Sequence, residues 1–361
     1  MSILAAGILA LLCAAGRAAD CVPRFPFQEG WLGGDAAYSV ALSSGRSAWF
    51  FGDTFVGKPG ASDRRGAKLV ANSMAISTCE GGRWGITYYW AEDRPNAPRA
   101  FFDPRHGAGK LWPLDGFTHD GRLYLALSRI RPVSKKGPLG FEGTGVFLAR
   151  VDNPQDDPRR WLITYRKLAS GKTVFPGVSA VVRGGHVYLF AVLDDAGHKS
   201  HPIILTRVPL DRLDQPGAAI ERLARDGAWK PGLDWRDAAV VMEQGATELS
   251  VRWHAGLKRW VALMVKPGFG ASEAIVRTAL ELSGPWSPDR AVFRFPEMQK
   301  GVPGYDQDTF CYAVKEQAQF RGSSGRALMT YTCNSFDLDK LVSDRDLYRP
   351  QAVFVDAAPQ D

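Results

Sequence analysis

The chain has 361 residues, a length that one β-barrel or β-propeller domain can fill. Its 38 glycines, 23 prolines and 11 tryptophans favour short strands and tight turns over long helices, because Gly and Pro interrupt helices. The formal charge of +7 is spread along the chain with no Lys/Arg tract longer than Lys135-Lys136, which argues against nucleic acid as a partner and is compatible with weak attraction to an anionic cell envelope.

The first residues resemble a secretory signal peptide. An apolar run from Ile3 to Gly16 is followed by small residues, Gly16 and Ala18, at positions −3 and −1 of a cut after residue 18. No Lys or Arg precedes the run, which is also too short to span a bilayer. We expect a signal peptide over 1–18, a mature domain over 19–361, no membrane span, and a secreted or periplasmic protein.

Residues 30–57 predict two apolar strands joined by a turn at residues 43–45. Asp35 and Asp53 are each nine residues from Ser44, so a symmetric hairpin brings them face to face. Opposed side chains on antiparallel strands have Cβ atoms roughly 5 Å apart. Two carboxyl groups held that close raise one pKa, which leaves one protonated acid beside one ionised base. The alternative is that both aspartates cap turn amides.

After Trp31, short strand patterns alternate with loops rich in Gly, Pro or Asp, in five groups that each begin with a loop and a hairpin. Small sheets repeated in this way are typical of a β-propeller, in which radial repetition leaves only short sheet edges. We predict an all-β fold, a five-bladed β-propeller in a single domain, with a β-sandwich as the alternative. Residues 217–226 predict one surface helix or helical turn.

Residues that begin each group should converge at one end of the central channel, because the innermost strand of every blade starts there. Besides Asp35 and Asp53, this places Glu248 on the rim, where a carboxylate is costly to bury unless it is paired or used. The other candidate rim residues, which we expect to bind substrate, are polar or aromatic: Asn72, Trp112, Asp115, Tyr305, Asp308 and Asn334.

Carboxylates, amides and aromatic rings around one funnel suit a sugar, because aromatic faces stack on its C–H surface and polar groups bind its hydroxyls. Structural alternatives stay open. Asp306 and Asp308 are more typical of turn and cap residues, and Trp112 is equally consistent with packing between blades. Arg129 or Lys266 could neutralise the rim carboxylates as ion-pair partners.

Four cysteines remain after the expected cleavage, which suggests disulfides in an exported chain, with three connectivities. Cys311 and Cys333 are each eleven residues from position 322, so we expect them to pair across a hairpin. That leaves Cys21 to pair with Cys79. A zinc site is disfavoured, because the chain has no CxxC pair and only six scattered histidines.

Several segments together resemble glycoside hydrolase family 183, a group of bacterial endo-D-arabinanases with a five-bladed propeller, and related domains of unassigned function. They are GWLGGDAAYSV…SAWFFGDTFVG, Asn72-Ser73-Met74, LWPLDG, TELSVRW and TYTCNSF. The resemblance implies hydrolysis inside the α-D-arabinofuranan of mycobacterial-type envelopes or a similar glycan, with Asp35 and Asp53 as the catalytic pair. This chain has GGDAAYS where GGDGAYS is more usual in the family.

We therefore expect a monomeric, secreted glycosidase acting within cell-envelope arabinan, without a cofactor or catalytic metal. Asp35 and Asp53 would supply the acid and the base or nucleophile, and Glu248 would stabilise positive charge at the anomeric carbon or serve as the acid. The alternatives are hydrolysis of another furanoside, or a propeller that binds carbohydrate without cleaving it. A structural Ca²⁺ held by rim oxygens is a further hypothesis.

Overall fold

The computed structural model describes residues 21–103, 109–133, 140–194, 200–268, 270–303, 305–321 and 326–358. The expected signal peptide over 1–18 lies outside these residues. Within them, no helix is both long and apolar enough to cross a membrane.

The regular secondary structure of the described chain is mostly antiparallel sheet, in five consecutive units. The first sheet contains β1 (Trp31–Ala41), β2 (Ser47–Val56), β3 (Lys68–Val70), β4 (Ser73–Glu80) and β5 (Arg83–Tyr89). A small ribbon follows, made of β6 (Ala91–Glu92) and β7 (Pro98–Arg99). The second sheet contains β8 (Lys110–His119), β9 (Arg122–Pro132), β10 (Phe141–Val151) and β11 (Ile163–Ser170).

The third sheet contains β12 (Val174–Arg183), β13 (His186–Leu193), β14 (Ile203–Pro209), β15 (Glu221–Leu223), β16 (Trp229–Pro231) and β17 (Val240–Met242). The fourth contains β18 (Leu249–His254), β19 (Arg259–Val265), β20 (Glu273–Ala279) and β21 (Arg290–Arg294). The fifth contains β22 (Thr309–Glu316), β23 (Ala327–Ser335) and β24 (Gln351–Val355). Two short α-helices are α1 (Pro216–Ala219) and α2 (Leu338–Ser343).

The five sheets form a ring, which confirms the predicted five-bladed β-propeller. The first strand of every sheet contacts the first strand of the next: β1 contacts β8, β8 contacts β12, β12 contacts β18, and β18 contacts β22. Contact between β22 and β1 closes the ring. These five strands line the central channel, and their N-terminal ends meet at one rim.

The apolar core lies between neighbouring sheets rather than at one centre. Phe50 of the first sheet and Leu125 of the second share one buried cluster, and equivalent clusters join the other pairs. The interface that closes the ring packs Trp49 against Phe320, with ring centroids 5.5 Å apart. Burial of apolar surface therefore fixes each blade against its neighbours, and with them the rim.

Both predicted disulfides are present. Cys311 and Cys333 are directly opposed in the β22–β23 hairpin and are joined, as expected from their symmetry. Cys21 is joined to Cys79, which ties the N-terminal segment to β4. The two bonds lie in the first and last sheets, on either side of the interface that closes the propeller.

Of the surface helix or helical turn predicted over 217–226, only one turn is present, and a helix over the whole range is wrong. Only the single turn α1 is helical there, and the chain continues as β15, which pairs with β14 and β16. Ile220, Arg222 and Ala224 are buried while the residues between them are partly exposed, a period of two that belongs to a strand. Sheet pairing therefore overrode the local helical preference.

Candidate functional site

The opening hairpin brings the two predicted catalytic aspartates together. Gly34 of β1 lies opposite Thr54 of β2, and Ala36 lies opposite Phe51, so the single residue Asp35 faces the pair 52–53 across a β-bulge. The facing geometry predicted from symmetry is present, with one extra residue on β2. A Cβ at position 52 would collide with Asp35 Oδ1, so the glycine there makes room for the carboxyl group.

Asp35 is half-buried and accepts two hydrogen bonds from tyrosines of the last blade, one in β22 and one in the loop before β24. Tyr312 and Tyr348 donate their hydroxyls to Asp35 Oδ2 over 2.8 and 3.1 Å. Burial raises the pKa of Asp35 to about 7, and the nearby Asp53 and Glu248 carboxyls also raise it, although the two tyrosines lower it. A group with this pKa can give and take a proton near neutral pH.

Asp53 occupies a different electrostatic environment. Trp112 Nε1 donates to Asp53 Oδ1 over 3.1 Å, and Lys110 Nζ lies 4.0 Å from the same oxygen. Burial raises the pKa of Asp53, while Lys110 and Trp112 lower it. Asp53 therefore has a cation and an indole N–H to stabilise its ionised form, whereas Asp35 has neutral hydroxyls and a neighbouring carboxyl group.

Glu248 is the third carboxylate of this group. It immediately precedes β18, is half-buried, and lies close enough to Asp35 to raise its pKa. Burial raises the pKa of Glu248 itself, and a hydrogen bond with Thr247 and the charge of Lys315 oppose that shift. The structure therefore brings the three predicted catalytic residues into one electrostatically coupled group.

Lys315 of β22 is hydrogen-bonded to inner strands of the second and third blades. Its Nζ donates to the carbonyls of Leu114 and Val178 over 2.9 and 2.7 Å and lies 4.0 Å from the centre of the Tyr38 ring. Burial lowers the pKa of Lys315 to about 8, against the opposing effect of Asp115. Sequence reasoning missed this residue, because a lysine within a strand reads as a solvent-facing side chain.

Two predicted substrate contacts are buried and engaged in the protein interior. Asn72 is 0% exposed: its amide donates to the carbonyls of Phe102 and Leu111 and accepts from the Phe102 amide. Asp115 is 1% exposed and accepts two hydrogen bonds from Arg252 and one from the Ala180 amide. Both side chains tie blades or loops together, so we assign neither a contact with substrate.

The four other predicted contacts lie at the surface of the rim. Trp112 touches Asp53 directly, and Asn334 is hydrogen-bonded to the Tyr312 hydroxyl that holds Asp35. Tyr305 is exposed and Asp308 partly exposed, in the loop before β22. Asp306 behaves as a turn and ion-pair residue, since it accepts from the Asp308 amide and from Lys340.

Exposed aromatic rings flank the aspartates on both sides, and sequence reasoning had not selected them. On the Asp35 side, Phe310 stacks on Tyr312 and on Phe336, which is 45% exposed. On the Asp53 side, the exposed ring of Phe141 packs edge-on against Trp112, with centroids 4.6 Å apart. The motif TYTCNSF contained one of these rings, but its exposure depends on the tertiary fold.

A cavity of about 270 Å³ opens beside Lys110, next to the strand pair that carries Asp53. Leu69, Val70 and Leu111 line its apolar side, and Arg129 lies on its wall. Arg129 is held by hydrogen bonds from its guanidinium to Thr144 and does not pair with the rim carboxylates.

Metal-ligand geometry is sparse in the described part of the chain. Its one cluster of closely spaced potential ligands is Glu297 with Cys311 and Cys333, and those two sulfurs are already joined in a disulfide. Asp35, Asp53 and Glu248 do not converge in this way, so calcium binding at the rim stays a hypothesis.

Residues 25–357 match the family described as Domain of unknown function (DUF5005). The chain belongs to this family. Its match covers the whole propeller, including the hairpin, the three rim carboxylates and both tyrosines that bind Asp35. The description assigns the family no activity, and membership of glycoside hydrolase family 183 stays a prediction. We found no similar sequence among curated proteins.

Among solved structures, this member of the DUF5005 family is similar to a "putative hydrolase" from Bacteroides ovatus ATCC 8483. The TM-score is 0.72 at 17% identity, over 92% of this chain and 87% of the other, which shows a shared fold. Two further structures superpose too loosely to carry an argument. One is a GH43_1 enzyme from Xanthomonas citri complexed with xylotriose, with a TM-score of 0.49 at 12% identity over 93% of this chain and 89% of the other. The second is a GH62 α-L-arabinofuranosidase catalytic domain from Coprinopsis cinerea, with a TM-score of 0.48 at 12% identity over 92% of this chain and 95% of the other.

Proposed function

We propose that this protein is a glycoside hydrolase in which Asp35 is the general acid and Asp53 the base or nucleophile. The observation that carries the proposal is the pairing of two carboxyl groups in unequal environments across one hairpin. Asp35, with a pKa of about 7, keeps a proton at mildly acidic and neutral pH, while Lys110 and Trp112 favour the ionised form of Asp53. Unequal environments of this kind separate acid from base in glycosidases.

In the proposed reaction, Asp35 protonates the glycosidic oxygen as the bond to the anomeric carbon breaks. Asp53 attacks that carbon or removes a proton from the attacking water, according to the separation of the carboxyl groups in the complex. Glu248, near Asp35, stabilises the positive charge that develops on the sugar ring. The two tyrosine hydroxyls hold Asp35 Oδ2, which leaves Oδ1 to carry the proton.

We propose an endo-acting enzyme on a furanoside polymer, with α-D-arabinofuranan as the first candidate. Exposed rings on both sides of the carboxyl pair, Phe336 and Phe141, offer stacking surfaces for sugars on either side of the cleaved bond. Tyr305, Asp308 and Asn334 are the proposed polar and aromatic partners. The choice of arabinan rests on the hairpin's resemblance to endo-D-arabinanases. Two disulfides support secretion, since such bonds persist in oxidising compartments.

A panel of polymers tests the proposal: mycobacterial arabinogalactan, other arabinans and xylan, incubated with the purified protein and analysed by chromatography. We expect oligosaccharides from arabinan, with products longer than one sugar at early times. A folded sample that binds arabinan without shortening it would overturn the hydrolase and favour a carbohydrate-binding propeller. A chelator control should leave the rate unchanged if no metal takes part.

A further inference from the structure

Arg64 is a buried cation that joins the first and last blades of the ring. It lies in the loop between β2 and β3 and is 2% exposed. Its Nε donates to the Leu32 carbonyl of β1 over 2.6 Å. Its two terminal nitrogens donate to three carbonyls at and after α2, those of Leu341, Asp344 and Leu347.

Further contacts fix the same guanidinium in place. The rings of Phe27 and Phe55 lie 5.0 and 5.7 Å from it, and the Arg64 amide donates to the Val342 carbonyl over 3.0 Å. Helix α2 has only one and a half turns, so its last carbonyls depend on such outside donors. A planar group with five donors suits this arrangement, and a lysine would replace only part of it.

The segment 341–347, whose carbonyls accept hydrogen bonds from Arg64, ends directly before Tyr348. Leu347, whose carbonyl accepts from Arg64, is the preceding residue. Tyr348 has a positive φ of 52° and donates its amide to the Cys333 carbonyl, and its hydroxyl reaches Asp35. A Cβ at Gly33 would collide with the Tyr348 carbonyl, so β1 also lies directly against this segment.

We propose that Arg64 is a positioning residue that holds the Tyr348 hydroxyl against Asp35, although it touches neither Asp35 nor the substrate. The proposal rests on the proposed function only in giving Asp35 a catalytic role. The hydrogen bond from Tyr348 to Asp35 can be tested without substrate. The titratable groups that face Asp35 are Asp53 on β2, Tyr312 on β22, Glu248 before β18, and Tyr348. Of these residues, Tyr348 is the one that belongs to the segment hydrogen-bonded by Arg64.

The Asp35 titration is measured by NMR on protein with ¹³C-labelled aspartate, and the Asp35 signal is identified by its loss in Asp35→Asn. Tyr348→Phe removes a hydrogen bond that lowers the pKa of Asp35, so we expect the midpoint to rise by roughly 0.5 to 1 pH unit. Arg64→Lys should raise it in the same direction. In the double variant, Arg64→Lys should add nothing further, because the hydroxyl it positions is gone.

Arg65→Lys is the matched control, since Arg65 is the next residue, is largely exposed and pairs only locally with Asp63. It should leave the Asp35 midpoint unchanged. The proposal is overturned if Arg64→Lys folds with a normal midpoint, if its shift persists in full beside Tyr348→Phe, or if Tyr348→Phe leaves the midpoint unmoved. Arg64→Met, which keeps the apolar stem, replaces Arg64→Lys should that variant not fold. A normal titration without glycan cleavage would refute the proposed function alone.

Discussion

At the scale of single residues, the site depends on the different partners of two chemically identical side chains. Burial and the neighbouring Asp53 carboxyl group favour the protonated form of Asp35, and the hydrogen bonds from two tyrosine hydroxyls oppose this only in part. Asp53 receives an indole N–H and lies near an ammonium group, so its ionised form is easier to maintain. The sequence supplies both aspartates, and the fold makes them unequal.

Replacing Trp112 by Phe should shift the acidic limb of the pH–rate profile. The substitution removes the N–H that stabilises ionised Asp53 and keeps an aromatic ring against Phe141. The pKa of Asp53 then rises. As the pH is lowered, Asp53 therefore becomes protonated, and inactive as a base, at a higher pH than in the wild type. We expect kcat/KM at pH 5 to fall roughly 2- to 10-fold, the size of one hydrogen bond. An acidic limb at the wild-type position would contradict the role given to Asp53.

Replacing Asp35 by Asn should change stability in a pH-dependent way. The folded-state pKa of Asp35, about 7, is above the 3.8 of an unperturbed aspartate, so folding favours the protonated carboxyl group. That contribution is fully present below about pH 4 and is lost as pH rises through 7. Asn stays neutral, so the Tm of the variant relative to wild type should increase between pH 4 and pH 8, by roughly 1 to 2 °C per kcal/mol of relief for a domain of this size. A constant Tm difference would show that Asp35 titrates normally.

At the scale of secondary-structure elements, local patterns predicted the opening hairpin well. The turn and both strands are consecutive in the sequence, so symmetry about Ser44 was enough to predict that Asp35 and Asp53 face each other. The bulge was not predictable from spacing: Ala36 and Ala37 both have positive φ, a conformation that L-residues adopt at a cost of about 1 to 2 kcal/mol each. Such strain, held by surrounding packing, is common at functional sites.

The tyrosines on Asp35 could not be predicted from the sequence. They come from the last blade, 277 and 313 residues away along the chain. Their direction depends on a β-bulge in β22 and on the left-handed conformation of Tyr348. Asn72 and Asp115 were selected as polar residues at strand starts, but their burial follows from partners in other strands and loops. Position within a strand predicts which end of the blade a residue occupies, but it does not predict the direction of the side chain.

The two disulfides should contribute unequally to stability. In the chain-entropy view, a bond that closes 58 residues constrains the unfolded state more than one that closes 22. We expect urea unfolding to show losses of about 4 kcal/mol for the paired Cys21→Ala, Cys79→Ala variant and about 3 kcal/mol for Cys311→Ala, Cys333→Ala. A larger loss for the second pair would indicate that the hairpin bond acts mainly through the folded state.

At the scale of the whole molecule, the propeller brings residues from the first, second, fourth and fifth blades together at one rim. The hairpin of the first blade supplies two carboxylates, the fourth supplies Glu248, and the fifth supplies both tyrosines of Asp35. Arg64 joins the blades at the point where the ring closes, so closure and the geometry of the proposed acid depend on the same contacts. Closure of the ring therefore brings Asp35 and Tyr348, which are distant in sequence, into one site.

The exposed rings at the rim should act on polymer binding more than on bond cleavage. Phe336→Ala or Phe141→Ala should raise KM for arabinan roughly 2- to 10-fold, the value of one aromatic contact, with little change for a single-sugar aryl glycoside. Trp253→Ala is the control, because that exposed ring lies near the opposite end of an inner strand. Equal effects of all three substitutions would argue against stacking at the rim.

The most direct measurement of the proposed mechanism compares Asp35→Asn and Asp53→Asn on two substrates, arabinan and an aryl α-D-arabinofuranoside with an acidic phenol as leaving group. An acidic phenol leaves without protonation, so a variant lacking only the general acid still cleaves it. We predict that Asp35→Asn loses 10²- to 10⁴-fold on arabinan and keeps most of its activity on the aryl glycoside, while Asp53→Asn loses both. Full activity of either variant on arabinan, or the reverse pattern, would contradict the account.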